Sequence, residues 1–188
     1  MNSNEDIPYT NRTKQKADTD EWFTPETAIT PLLPYISQLK RIWCPFDHND
    51  SVIQSNFVKV LTDAGHIVIN SHIDYGQDFL TFSPSQPYDA IVSNPPYSLR
   101  TEVLERLYAL GKPFAMLMNY SGLFDNRIRF KLFQKNGVQI FVLYGRTKFY
   151  KRGTLPDSGS SPLFQSIYVC NKILPQDVLF QSTDFVQH

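Results

Sequence analysis

Ser93-Asn94-Pro95-Pro96-Tyr97 follows directly on the apolar run Tyr88-Asp89-Ala90-Ile91-Val92, and at this junction the sequence concentrates residues suited to chemistry. Residues 88–93 read as a buried parallel strand. Two consecutive prolines cannot extend a ladder, so the backbone must leave the sheet in a rigid, extended turn. Ligands of open α/β sheets bind at such carboxyl ends. A polar amide, two prolines and an aromatic there read as a catalytic corner; the plainer alternative is a strand-ending turn. A second stretch, Arg146-Thr147-Lys148-Phe149-Tyr150-Lys151-Arg152-Gly153, interleaves bases with aromatics, the composition that pairs phosphate contacts with base stacking. An ordinary surface hairpin has the same composition.

The corner Asn94-Pro95-Pro96-Tyr97 resembles the Asn/Asp-Pro-Pro-Tyr/Phe motif of amino-methyltransferases that use S-adenosylmethionine, and from Asp20 to about Leu174 the chain resembles the phage-type DNA adenine-N6 methyltransferases. The resemblance implies transfer of a methyl group to an exocyclic amine, most often adenine N6. Such an amine is conjugated with its ring and a poor nucleophile. If the Asn94 side-chain oxygen and the Pro95 carbonyl each accept one of its N–H groups, the nitrogen moves toward tetrahedral geometry and its lone pair is exposed. Pro95 and Pro96 fix where those acceptors sit, and Tyr97 stacks on a base taken out of its duplex or presented single-stranded. Methylases of RNA adenine, of guanine N2 or of a protein glutamine amide carry the same corner, so the substrate stays open at this point.

Three further segments extend the likeness. Asp20-Glu21-Trp22-Phe23-Thr24-Pro25 is similar to the Asp-x-Trp-x-Thr-Pro entry of those enzymes, which implies that Trp22, Phe23, Thr24 and Pro25 lie over the cofactor. The same residues also read as a helix start, with Thr24 as N-cap and Pro25 at the first helical position. Cys44-Pro45-Phe46-Asp47 falls where the family has Asp-Pro-Phe and a glycine turn. Cys44 stands in place of the acid and no glycine follows, so Asp47 is the candidate displaced carboxylate, or a helix N-cap. Cofactor binding by the free protein is expected to be weak. By resemblance, residues 72–74, with Asp74 as the carboxylate, border the cofactor ribose, Asp78 accepts from its adenine amine and Phe79 packs on the ring. Lys148, Phe149, Tyr150, Lys151 and Arg152 become the candidate substrate contacts, with Phe149 or Tyr150 facing Tyr97 across the base.

Length and composition bound the answer. With 188 residues, 41% of them hydrophobic, the chain is most simply one domain with a single substantial core. Residues 1–19 are polar and are expected to be disordered or loosely ordered, leaving 20–188 as a single methyltransferase-like domain without a separate target-recognition domain. Selectivity should then be weak or supplied by a protein partner. No apolar run approaches a bilayer span and the N-terminus lacks a signal-peptide core, so the expected location is the cytoplasm of a bacterium or phage-infected host. Cys44 and Cys170 fall in predicted strands and read as buried thiols. The histidines show no metal-ligand spacing with the cysteines, so no metal is expected. Formal net charge is zero, yet residues 100–152 hold eleven Lys or Arg against three acids, enough for a basic face toward phosphates. A solvated helix face would account for part of that excess.

Strand patterns at 40–46, 66–71, 88–93, 113–118, 138–144 and 163–170 alternate with helical patterns near 25, at 50–64, 100–110 and 124–135. The alternation predicts a Rossmann-like α/β methyltransferase fold, a doubly wound, mostly parallel seven-stranded sheet with an antiparallel last strand. Two other readings stay open: a methyltransferase-fold module that binds nucleic acid or a protein without catalysis, and a methylase of a protein glutamine amide.

Overall fold

The structure, a computed structural model, describes residues 23–50, 54–150 and 165–182. Its strands are β1 (Arg41–Cys44), β2 (Ile67–Asn70), β3 (Ala90–Ser93), β4 (Phe114–Asn119), β5 (Gln139–Val142), β6 (Ser166–Asn171) and β7 (Val178–Phe180). They form one sheet in the order β2-β1-β3-β4-β6-β5-β7. Six strands run parallel; β6 lies antiparallel between β4 and β5. This is the expected Rossmann-like architecture. The antiparallel strand is followed by one more, β7, which returns to pair parallel with β5.

Central strands are buried on both faces, as βαβ connections require. On one face Ile42, Cys44, Val92, Ala115 and Leu117 pack with Ala28, Ile29 and Leu32 and with Phe57 and Leu61. On the other, Trp43, Ile91, Phe114 and Met116 pack with Val103, Leu104 and Leu107 and with Phe133. The helices are α1 (Glu26–Ile29), α2 (Leu33–Ile36), α3 (Asn56–Asp63), α4 (Arg100–Leu110) and α5 (Arg127–Asn136). A 3-10 turn at Thr30–Leu32, carrying Pro31, separates α1 from α2. Gly111, at φ 67°, ends α4 where the pattern places its stop. Cys44 and Cys170 are both free and buried.

Two helix starts differ from expectation. The N-cap of α1 is Pro25, which has no side-chain hydrogen bond to give, and Thr24 lies one residue outside the helix. Its hydroxyl accepts instead from Asn94. α3 begins after Ser55, whose side chain accepts from the Phe57 N–H, rather than after Asp50. The chain first turns back on itself through the Asn49–Gln54 bridge, and Asp50 accepts from the Tyr75 hydroxyl. Ser51 and the N-terminal segment 1–19 lie outside the described residues.

Candidate functional site

Parallel pairing sets the carboxyl ends of β1, β2 and β3 side by side, with Cys44 opposite Asn70 and Trp43 opposite Ile91. The chain runs from β1 out to β2 and then back to β3 on the other side of β1, so a crevice opens at this switch point. It is lined by Phe46, Asp47 and His48 after β1, by His72, Ile73 and Asp74 after β2, and by Asn94-Pro95-Pro96-Tyr97 after β3. Phe23, Thr24, Asn56, Asp78 and Phe79 complete it. The cleft is open to solvent at its mouth.

Asn94 has a divided hydrogen-bond inventory. Its Nδ2 donates to Thr24 Oγ1 at 3.2 Å, while its Oδ1 is buried with no hydrogen-bond partner among the described residues. Asp78 is divided in the same way: Oδ1 accepts from the Leu80 N–H at 2.9 Å and Oδ2 is buried and unpaired. Buried polar groups are ordinarily satisfied, so two acceptors lining one cleft without partners among the described residues are places where a further donor is called for.

Asp47, expected either as a cofactor ligand or as an N-cap, lines the cleft and caps no helix itself. Both carboxylate oxygens are committed within the chain, Oδ1 accepting from the Ser55 hydroxyl and Oδ2 from the Ser93 hydroxyl. Burial raises its carboxyl to about 6, against the opposing pull of the two hydroxyls and of His48. Asp47 thereby ties the loop after β1 to the cap of α3 and to the residue just before Asn94. Sequence gives Ser93 no role of its own, although it is a lone hydroxyl at the end of an apolar strand, and it misses Ser55, whose signal is its capping residue type at the start of α3.

The wall over the cleft is built from two distant segments. Phe23 and Tyr150 form an antiparallel bridge, with N–H to carbonyl distances of 2.8 and 3.2 Å, and their rings stack at 5.6 Å. Asn56 Nδ2 donates both to the Thr24 carbonyl and to the Tyr150 hydroxyl, each at 2.8 Å, locking this wall onto α3.

No family model and no curated protein matches the sequence. Among solved structures, the chain is similar to a protein assigned as a modification subunit of a type I restriction enzyme from Vibrio vulnificus YJ016, with TM-score 0.48 and 10% identity over 85% of this chain and 46% of that one. It is also similar to a protein assigned as a methyltransferase from Thermoplasma acidophilum, with TM-score 0.38 and 13% identity over 84% of this chain and 68% of that one. The chain thus spans less than half the length of the first.

The remaining candidates divide. Phe46 and Phe79 reach the cleft and touch each other at 5.0 Å; Phe79 is also backed by Trp43 at 5.3 Å and by the Arg106 guanidinium at 5.6 Å. Pro25 and Cys44 do not line the cleft, and burial, with Asp47 nearby, pushes the Cys44 thiol well up. Phe149 is 1% exposed and meets Tyr97 edge-on at 6.4 Å, so it supports that ring from the core instead of facing it across an opening. Tyr150 belongs to the Phe23 wall. Lys148 is exposed and outside the cleft. Trp22, Lys151 and Arg152 lie outside the described residues.

The basic half of the chain is less basic at its surface than its composition predicts. Arg129 is buried and donates to the Leu123 and Gly122 carbonyls and to Thr101, and Arg106 donates to the Phe82 carbonyl. Both guanidiniums are committed to loop carbonyls. Arg127, Lys131, Lys135, Arg146 and Lys148 remain exposed.

Proposed function

We propose that this chain is an S-adenosylmethionine-dependent methyltransferase acting on an exocyclic amine, adenine N6 of DNA or RNA being the substrate that its residues suit best. The observation that carries the reading is the buried, unpaired Oδ1 of Asn94 beside Pro95 and Pro96. An acceptor held there with no donor among the described residues is matched to a substrate N–H. Thr24, by accepting from Nδ2, fixes the amide with Oδ1 as its unpartnered atom among the described residues.

The donor set suits the cofactor as well. Asp78 Oδ2 is a second orphaned acceptor, complementary to the amine of an adenosyl group, and Phe46 and Phe79 offer apolar ring faces for its base. Phe23 and Thr24 would cover its methionine end, and Asp74 would take ribose hydroxyls. When bound, the cofactor supplies an electrophilic sulfonium methyl. The protein's part is to orient the amine: Asn94 Oδ1 and the Pro95 carbonyl each accept one N–H, drawing the nitrogen out of conjugation, and Tyr97 stacks on the base.

In this reading residues 20–188 act as one catalytic domain in a cytoplasm, with exposed Arg127, Lys131, Arg146 and Lys148 contacting phosphates and a protein partner supplying sequence address. Among the described residues no helix is long and apolar enough to cross a membrane. The test is methyl transfer from labelled S-adenosylmethionine to adenine-containing oligonucleotides, paired with calorimetric titration of the cofactor. Asn94→Ala is expected to lower transfer about 100-fold or more, with the cofactor still bound. Asp78→Ala is expected to weaken the cofactor. A folded protein that binds no cofactor at millimolar concentration, with or without oligonucleotide, would overturn the reading in favour of a binding module.

A further inference from the structure

We propose that His48, His72 and Asp74 form a binding site for a first-row divalent transition cation of the zinc and cobalt type, on the wall of the cleft. The inference does not depend on the methyl-transfer reading. Each of the three offers a ligand atom, and these atoms all lie within 4.8 Å of one another. Proton accounting shows why a cation suits them. The Tyr75 hydroxyl has one proton and donates it to Asp50 at 2.7 Å. Its contact with His48 Nδ1 at 3.2 Å therefore uses the imidazole proton, so a neutral His48 presents a lone pair at Nε2. That nitrogen is 3.6 Å from Asp74 Oδ2. His72 Nδ1 accepts from the Asp74 N–H at 3.2 Å, so it too is unprotonated, and it lies 3.5 Å from the same Oδ2.

The His48 lone pair, His72 Nδ1 and a carboxylate oxygen thus lie together, and His72 takes an ion by exchanging its hydrogen bond from the Asp74 N–H for it. Ligand atoms that share one ion at about 2.0–2.2 Å sit roughly 3–3.6 Å apart, close to the two distances to Asp74. Two imidazoles and a carboxylate are the donors that zinc-like ions prefer, and three protein ligands leave a position open toward the cleft. The hydrogen bond from His48 Nδ1 through Tyr75 to Asp50 supplies the outer support by which ligating imidazoles are oriented. Access is also provided, since the His48 side chain is 7% exposed and the Asp74 side chain 40%. Sequence spacing conceals the group, because His48 follows β1 and His72 follows β2 and only the pairing of those strands joins them.

The test uses the full chain with Co²⁺ as spectroscopic probe and Zn²⁺ as competitor. One equivalent of Co²⁺ should bind, give ligand-field absorption, be displaced by Zn²⁺ and raise the melting temperature. His72→Ala and Asp74→Asn, both at positions outside the core, should weaken Co²⁺ at least about 10-fold, and Tyr75→Phe should weaken it by a smaller factor. His66→Ala, whose imidazole faces the Leu39 carbonyl, should change nothing. Circular dichroism establishes that each variant is folded. No saturable binding by the folded wild type, or equal binding by the folded Asp74→Asn and His72→Ala variants, would overturn the site and leave two imidazoles stacked beside an acid.

Discussion

Ser93 and Asp47 come from different strand ends, 46 residues apart in the chain, and share a buried hydrogen bond in which the Ser93 hydroxyl donates to Asp47 Oδ2. The next residue after Ser93 is Asn94. A carboxylate in the loop after β1 therefore holds the backbone from which the corner projects, and its charge state bears on both stability and geometry.

The folded chain raises the Asp47 carboxyl from its ordinary value of 3.8 to about 6, chiefly through burial. A raised acid stabilises the fold below its unfolded value, and that contribution is lost as pH rises through its folded value. Wild type should therefore lose stability relative to Asp47→Asn between about pH 4 and 6, by an amount on the order of 3 kcal/mol. Urea denaturation of both proteins across this window measures the difference. A difference that does not change with pH would show that Asp47 does not titrate in the fold.

Thr24→Val keeps shape but removes the acceptor for Asn94 Nδ2. Leaving a buried donor unpaired costs about 1–3 kcal/mol and frees the amide to turn. Transfer to an oligonucleotide should fall roughly 10-fold on that scale, with Thr24→Ser restoring most of it. Equal rates for Val and Ser would show that the hydroxyl does not orient the amide.

Phe149 behaves as core. Phe149→Ala should cost about 3–5 kcal/mol of folding stability, the range for a buried aromatic, while Phe149→Leu costs less. Thermal denaturation decides. A stable Phe149→Ala protein defective only in substrate affinity would return this ring to the base pocket.

Exposed Arg146 and Lys148 carry a different expectation from buried Arg129. The double replacement of Arg146 and Lys148 by Ala should weaken oligonucleotides of every sequence and lower the salt slope of binding by about one or two counterions. Arg129→Ala should instead destabilise the fold, because two loop carbonyls and the Thr101 hydroxyl of α4 lose their donor. Binding across a salt series, together with melting temperatures, separates the two.

Periodicity made the frame of this protein readable. Residues 100–110 carry both an apolar stripe and a terminating glycine, and α4 occupies those residues. Such local signals were decisive wherever an element was long enough to show its period. Thr24 shows where they mislead, since its capping propensity is real but a long-range donor, Asn94, claims the hydroxyl. β7 has three residues, too few to show alternation, and exists through its pairing with β5. Asn94, Asp78 and Phe79, read together from motif order, line one cleft. Ser55, Ser93, Asn56 and the histidine group were not, because partners 8 to 94 residues away give them their roles.

The bridge between Phe23 and Tyr150 also sets an order of events during biogenesis. One wall of the cleft is made from residues near the start of the chain and the other half of that clasp from residues far along it, so a growing polypeptide carries Phe23 and Thr24 without their support until Tyr150 has been synthesised. Contacts of such sequence separation form late, after the entropy of closing a long loop has been overcome. The Asn94-Pro95-Pro96-Tyr97 corner emerges from the ribosome well before its cover. A nascent chain arrested between the two would carry Tyr97 and Phe46 in a cleft whose wall is still incomplete.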